Sequence, residues 1–334
     1  MSDTAPSRPL VVVLGASGFI GTAVTREFLA RPVRLRLVSR RPVPLPPGGV
    51  AEVQPLHRDL TEPGAVAAAV AGADVVIHLL AYIKGLSTWR VREGDHAAER
   101  VNVGLMHDLI EAVRGQRRGT PPVVVFAGAL SQVGTAGGAA VTGEETDEPA
   151  SEYDRQKLAA QRALADATAA GLVRGITLRL PSVCGQGTGP STLEHGMVGA
   201  MMRRAFAGEP LTMWHDGTVA RDLVCVDDVA RAFAAAVDHA DALAGRHWLI
   251  GSGQRTTVGE LFRAIAEVVA RHTGKPPVPV TQVRHRAAAP ADLVDFVVGS
   301  SAFSRVTGWS PQIPLATALD RAAAARARLS PEQR

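Results

Sequence analysis

A chain of 334 residues with 46% hydrophobic content is long enough for one large α/β domain and a smaller lobe, each with a packed core. Its formal charge of +4 is spread along the chain with neither a basic run nor interleaved aromatics, which argues against a nucleic-acid partner. Two cysteines, Cys184 and Cys225, and an opening MSDTAPSRP without an apolar stretch lead to the expectation of a cytoplasmic protein. No segment reaches the roughly 18 to 20 uninterrupted apolar residues of a membrane span.

In chain order, the apolar run Leu10–Leu14 reads as a buried strand, followed by a helix marked by Ile20, Val24 and Phe28 at four-residue spacing. Val33–Val38 alternates apolar and arginine residues, which suits a second strand in a less buried position. Val75–Leu80 is a further strand, Leu105, Leu109 and Val113 mark a helix, and Val123–Ala127 is again a strand. SEYDRQKLAAQ opens a helix that continues through an alanine-rich run over 158–169, and Ile176–Leu180 is the strand after it. Strands alternating with helices at this spacing predict a doubly wound α/β fold with a parallel sheet. Beyond Pro181, glycines and prolines in CGQGTGP, AGEPL and TGKPPVPV separate shorter elements, as in a substrate-binding lobe. VDDVARAFAAAVDHA reads as a helix capped by Asp227 or Asp228, and RHWLI as a strand that returns to the main sheet. The expected division is therefore a dinucleotide-binding domain over 9–180, rejoined by segments near 222–250, and a lobe over 181–330. There is no internal repeat.

Gly15, Gly18 and Gly21 form GASGFIG directly after the first strand and at the start of a helix. One glycine permits the tight turn, another lets the backbone approach a pyrophosphate, and the third packs the helix on the sheet. The turn, with Ser17, Phe19 and Ile20, is thus a candidate dinucleotide cradle of Rossmann type. After the second strand, where an NAD enzyme places an acidic residue on the adenosine ribose, the chain has Ser39, Arg40 and Arg41. Two guanidinium groups and a hydroxyl favour NADP(H) through the 2′-phosphate; surface arginines in an arginine-rich chain leave NAD(H) open. Asp59, followed by Leu60, reads two ways, as an adenine ligand or as a cap before a helix.

Tyr153 and Lys157 lie four apart at a helix start, so both project from one face. An ammonium beside a phenol stabilises the phenolate and brings its pKa from about 10 toward working pH, making a general acid or base. The chain has two tyrosines and three lysines, Lys84, Lys157 and Lys275, and otherwise uses arginine, so this pairing is not a product of composition.

GASGFIG, the strand ending VVIHLLA, Tyr153-x-x-x-Lys157, RLPSVCGQG and RDLVCVDDVA occur in the order found in extended short-chain dehydrogenases, and the resemblance covers roughly residues 9–325. EPLTMWHDGTVARDL and EYDRQKLAAQRAL resemble most the NDP-4-keto-6-deoxyhexose 4-ketoreductases of deoxysugar and antibiotic biosynthesis. The resemblance implies that Tyr153 gives a proton to the substrate oxygen while Lys157 lowers its pKa and binds the nicotinamide ribose. It places His78, Leu79, Leu80 and Ala81 along the cofactor, Asn102 in a helix beside the active site, and Pro181 to Val183 at the nicotinamide. Tyr82, Lys84, Ser182 and Met213 are assigned to the substrate, and Arg221 to its diphosphate. Simpler roles stay open, Asn102 as an ordinary helix polar residue, Lys84 as a surface residue and Arg221 as the ion-pair partner of Asp222. One departure stands out: Ala129 occupies the position where such enzymes carry Ser or Thr. Ser131, on the same face if the strand continues, is the nearest substitute, and Thr135 a weaker one.

The implied activity is reduction, with NADPH, of the C4 ketone of a dTDP- or UDP-linked 6-deoxyhexose. Alternatives are an epimerase or dehydratase with tightly bound NAD, and a non-catalytic dinucleotide sensor, which Ala129 keeps open. Glu144, Glu145, Asp147 and Glu148 read as a solvated loop near the cleft mouth, the cysteines as buried small residues, and no metal spacing occurs. A homodimer through helices near 97–114 and 152–169 follows from the resemblance alone.

Overall fold

The computed structural model describes residues 8–82, 91–116, 119–134, 141–187, 196–283 and 294–329. The chain runs β1 (Leu10–Leu14), α1 (Phe19–Leu29), β2 (Arg34–Ser39), β3 (Glu52–His57), α2 (Ala65–Val70) and β4 (Val75–His78). A short α3 (His96–Glu99) passes through a π-helical turn (Arg100–Gly104) into α4 (Leu105–Arg114). Next come β5 (Val123–Ala129), a 3-10 turn (Leu130–Val133), α5 (Glu152–Ala169) and β6 (Arg174–Leu180). The remainder is β7 (Ser182–Cys184), α6 (Met197–Phe206), β8 (Leu211–Met213), β9 (Ala220–Arg221), β10 (Leu223–Cys225), α7 (Val226–Asp238) and α8 (Ala240–Leu243). It ends with β11 (His247–Leu249), β12 (Thr256–Thr257), α9 (Val258–Thr273), β13 (Val280–Gln282), α10 (Ser301–Thr307) and α11 (Leu315–Ala327).

Seven strands form one sheet in the order β11-β6-β5-β4-β1-β2-β3, with every neighbouring pair parallel. Side chains alternate across it as the two-residue strand period requires. Val11, Val13, Leu35, Ile77, Val125 and Ile176 face α1, α7 and α10, where Phe28, Phe233 and Phe303 complete one core. Leu10, Val12, Leu14, Val76, Val124 and Phe126 face α2, α4 and α5 in a second. A third core, with Met202, Leu211, Phe262, Ile265 and Leu319, joins α6, α9 and α11 over the small sheets β7-β10, β9-β12 and β8-β13. β11 adds to the main sheet beside β6, and α7 lies along α1.

The second strand is interior rather than peripheral, with Leu35, Leu37 and Val38 buried and Arg36 reaching over to the Ala69 and Ala71 carbonyls. The true edge is β3, whose polar EVQPLH includes Pro55, tolerable where no further strand needs its N–H. Asp227 and Asp228 are in the first turn of α7, where Cys225 is the N-cap. Asp228, fully buried, accepts from the Gln312 and Ile313 amides and from Arg231, tying α7 to the segment before α11.

Candidate active site

In an all-parallel sheet the strand C-termini share one edge, and the strand order reverses between β1 and β4, which is where such folds open a ligand crevice. There the glycine turn follows β1. Gly15 has φ +90°, which favours glycine, and a Cβ there would come 3.3 Å from the Leu80 side chain. A Cβ on Gly21 would stand 2.1 Å from the Gly15 carbonyl oxygen, so only glycine lets α1 approach the turn this closely. Gly18 caps α1 without a side-chain hydrogen bond, and the first turn has no acidic residue, so the helix N-terminus is open to an anion. This cradle fits a dinucleotide pyrophosphate, with Ser17, Phe19 and Ile20 half-buried around it.

At the end of β2 the Gly15 and Ala16 amides both donate to the Val38 carbonyl, which fixes the cradle beside Ser39. Ser39 is buried and its hydroxyl donates to the Arg41 carbonyl at 2.6 Å, closing the turn after β2. Arg40 and Arg41 are exposed. Asp59 accepts from the Thr61 amide and hydroxyl at 2.9 and 2.7 Å, and these bonds hold its carboxyl below the usual range. It closes its own turn and does not cap α2, which begins at Ala65 behind Gly64; Leu60 beside it is buried.

The segment after β4 is tied on both sides. The Leu79 amide donates to the Leu14 carbonyl, and the Tyr82 amide to Asn102 Oδ1 at 2.8 Å. Asn102, fully buried in the π-helical turn, donates in turn to Gln156 on α5 at 2.8 Å. Such turns recur at functional sites, and here one delivers a side chain that joins the crevice wall at Ala81 and Tyr82 to the helix of Tyr153. Lys157 is 2% exposed; its Nζ donates to the Ala127 carbonyl at 2.8 Å and the Leu80 carbonyl at 3.3 Å, above the Phe126 ring. Burial pushes its ammonium down to about 7. His78, fully buried and edge-on to Phe126, is pushed down to about 3 by burial and by Lys157, and neither ring nitrogen has a hydrogen-bond partner.

Tyr153 is half-buried in the first turn of α5. Burial raises its phenol above the ordinary value, and the neighbouring Asp154 charge raises it further. The direction is opposite to the acidification by Lys157 that the four-residue spacing implies.

Ser131 is not on a continued strand. β5 ends at Ala129, whose amide donates to the Gln132 side chain at 2.7 Å, and the chain turns into a 3-10 helix. The Ser131 hydroxyl donates to Asp154 Oδ1 at 2.5 Å, so its proton is directed at that carboxylate. Gln132 and Asp154 were not legible as site residues, because the strand end that positions them is set by a side-chain cap with no sequence signature. The acidic loop also differs from the reading of it as wholly solvated. Asp147 pairs through both oxygens with Arg179 at 2.6 and 2.7 Å, and that arginine is fully buried on β6.

Pro181, Ser182 and Val183 follow β6 at the same edge and are half-buried. Met213 and Arg221 make their contacts in the lobe, Arg221 with the Ala220 and Val294 carbonyls and over the Phe296 ring. Asp222 accepts from Ser252, Gly253 and Val298. Lys84 and Thr135 lie outside the described residues. Among the described residues no cluster of His, Cys, Asp and Glu could hold a metal, and no helix is long and apolar enough to cross a membrane. Both cysteines are buried, and they form no disulfide.

A parallel sheet with a glycine cradle at its switch point and a Tyr and Lys pair on the adjacent helix defines a dinucleotide-dependent α/β enzyme. Residues 11–251 match the model of the NAD dependent epimerase/dehydratase family, and the chain belongs to that family. It is 29% identical over 283 residues to dTDP-6-deoxy-L-talose 4-dehydrogenase (NAD(P)(+)) of Kitasatospora kifunensis, covering 84% of this chain and 83% of that one. With dTDP-L-rhamnose 4-epimerase of Burkholderia thailandensis it is 31% identical over 170 residues, covering 49% and 43%. The solved structure of MoeE5 in complex with UDP-glucose and NAD superposes with a TM-score of 0.77 at 25% identity, over 95% of this chain and 99% of that one. UDP-glucose 4-epimerase of Thermotoga maritima, at 22% identity and TM-score 0.76 over 95% and 98%, shares the fold.

Proposed function

We propose that the protein reduces the C4 ketone of a dTDP- or UDP-linked 4-keto-6-deoxyhexose with NADPH. The observation that carries this reading is geometric: the glycine cradle packs against Leu80, whose carbonyl accepts from Lys157, one helical turn along α5 from the phenol of Tyr153. When bound, the reduced nicotinamide would supply the hydride. Tyr153 gives its hydroxyl proton to the carbonyl oxygen, and the phenolate left behind takes a proton from water. Lys157, anchored to the Leu80 and Ala127 carbonyls, holds the crevice wall against α5 and stands ready for a ribose hydroxyl. Ser131 supports the catalytic helix through Asp154, and with Tyr82, Ser182, Met213 and Arg221 is assigned to the substrate side. Leu79, Leu80, Ala81, Asn102, Pro181 and Val183 line or brace the nicotinamide end.

Two relationships support the substrate class. A 4-dehydrogenase acting on a dTDP-linked 6-deoxyhexose, the activity named for the Kitasatospora relative, is by microscopic reversibility a 4-ketoreductase. MoeE5 holds a UDP-sugar together with NAD. The exposed Arg40 and Arg41 after β2, with Asp59 bonded to Thr61, favour a 2′-phosphate and hence NADPH over NADH. A homodimer through α4 and α5, where Ala159, Ala165 and Ala169 are exposed, belongs to the same reading.

The test is turnover. Absorbance of the reduced nicotinamide should fall when a dTDP-4-keto-6-deoxyhexose is added, faster with NADPH than with NADH at subsaturating cofactor. Arg40→Ala/Arg41→Ala should raise the KM for NADPH about tenfold or more while leaving that for NADH within about twofold, since each lost charge-assisted bond is worth roughly 1.5–3 kcal/mol at most. Equal loss with both cofactors would remove the 2′-phosphate assignment, and no consumption of either cofactor would remove the activity.

A further inference from the structure

The chain has two cysteines, and the fold sets them directly opposite one another. β7 and β10 pair in parallel, with Ser182 against Leu223, Val183 against Val224 and Cys184 against Cys225. Strand residues alternate between faces, and the two cores record it. Val183 and Val224 pack with α1, α7 and α10, whereas Leu223, Cys184 and Cys225 belong to the lobe core. Both thiols therefore leave the small sheet on the same side. A Cβ on Gly185, the residue after Cys184, would stand 3.4 Å from Cys225 Sγ, so that sulfur rests against the end of β7. Paired strands lie about 4.7–4.9 Å apart, inside the roughly 4.4–6.8 Å between Cα atoms that a disulfide spans.

The pair sits where the chain leaves the main sheet and where it returns. β7 follows β6 after Pro181, and β10 runs into α7, which packs along α1; α6, β8 and β9 lie between the two cysteines in sequence. Cys225 lines a cavity of about 390 Å³ together with Arg26, Gly185, Asp227 and Arg321. Arg26 and Arg321 share the single carboxylate of Asp227, so the ionic groups of that wall are net positive and draw an anionic reagent. Cys184 is fully buried, which makes Cys225 the first of the two to meet a reagent. Burial pushes the Cys225 thiol up, so exchange there is slow, on a scale of minutes to hours.

We propose that Cys184 and Cys225 form a dithiol site that an anionic disulfide of the glutathione type oxidises to an intrachain disulfide, clasping the strand that leaves the main sheet to the strand that leads back. The Cys225 thiolate attacks one sulfur of the oxidant, forming a mixed disulfide and releasing a thiolate, which takes up the proton that Cys225 gave to water. Cys184, deprotonated in its turn, attacks the Cys225 sulfur, and the second thiol leaves with that proton. Two S–H bonds are lost and one S–S bond is gained in the protein, while the oxidant's S–S bond is reduced to two thiols. The clasp fixes Pro181–Val183, at the nicotinamide end, relative to Arg221 and Asp222 in the lobe. The plainer alternative is that both cysteines serve packing alone, as small apolar side chains.

With no other cysteine in the chain, a thiol count is a direct test. Folded protein is incubated for several hours with oxidised glutathione, freed of reagent, denatured and titrated. The untreated chain should show two thiols and the treated chain none, with a mass lower by two hydrogens, no glutathione retained, a single chain on non-reducing electrophoresis, and both thiols restored by dithiothreitol. Cys184→Ser should instead keep one glutathione on Cys225, because nothing is left to displace it, and Cys225→Ser should stay unmodified. The parent's own count decides the matter even where neither variant folds. Two thiols still present after treatment, glutathione retained by the parent, or a disulfide joining two chains would each overturn the proposal and leave packing alone. The oxidised protein should also unfold at a higher denaturant midpoint than the reduced one, since closing the loop that holds α6, β8 and β9 constrains the unfolded chain. A midpoint at or below that of the reduced protein would contradict the clasp. Neither readout needs turnover, so they stand or fall apart from the reductase reading.

Discussion

Tyr153→Phe is expected to lower kcat/KM for ketone reduction by about 10²- to 10⁴-fold, the range a positioned general acid contributes. The loss should fall on kcat, because the hydroxyl is used only as the carbonyl oxygen gains its proton. Dinucleotide affinity, measured by fluorescence titration or calorimetry, should stay within about twofold, since the cradle at Gly15, Gly18 and Gly21 belongs to β1 and α1 and not to α5. A variant that keeps more than a tenth of the parental kcat would take the proton from elsewhere, and Tyr153 would lose its place in the reaction.

Asp147→Ala is expected to cost about 3–5 kcal/mol of folding stability, although the residue sits in a loop between β5 and α5. The reason is Arg179. Its guanidinium is fully buried, Asp147 receives two of its N–H groups, and its Nε donates to Gln161 Oε1 at 3.0 Å. Removing the carboxylate strands a charge in the interior, where desolvation is not repaid. The denaturation midpoint should fall at constant m-value, and Asp147→Ala/Arg179→Leu should recover most of the loss, because then no unpaired charge remains. The same substitution should loosen the site: Gln161 also accepts from Gln132, and Gln132 accepts the Ala129 amide that ends β5. A loss below about 1 kcal/mol would show the pair to be screened and replaceable.

Much of the frame was legible because it is periodic. β1, β4, β5 and β6 are apolar runs buried on both faces, and α1 and α4 carry apolar residues at helical spacing. The glycine turn was legible too, since its close approach to Leu80 and to α1 admits no other residue type. β3 was not, because an edge strand buries one face partially and tolerates a sequence such as EVQPLH. What escaped in the site depends on contacts between residues far apart in sequence. Arg179 and Asp147 are 32 apart, Asn102 and Gln156 54 apart, and Ser131 and Asp154 23 apart. Ser131 was placed by assuming that β5 continues, and one side-chain cap from Gln132 undoes that assumption. Spacing shows Lys157 four residues from Tyr153 but not the burial or the Asp154 carboxylate that bear on the phenol.

The central claim is that hydride and proton both end up in the product. Incubation with NADPH deuterated at the transferable C4 position and a dTDP-4-keto-6-deoxyhexose, with the product followed by NMR, tests it most directly. The account predicts one deuteron at C4 of the sugar for each NADP+ formed, with the keto signal lost. A substrate that is epimerised or dehydrated with no deuterium gained and no NADP+ released would contradict it.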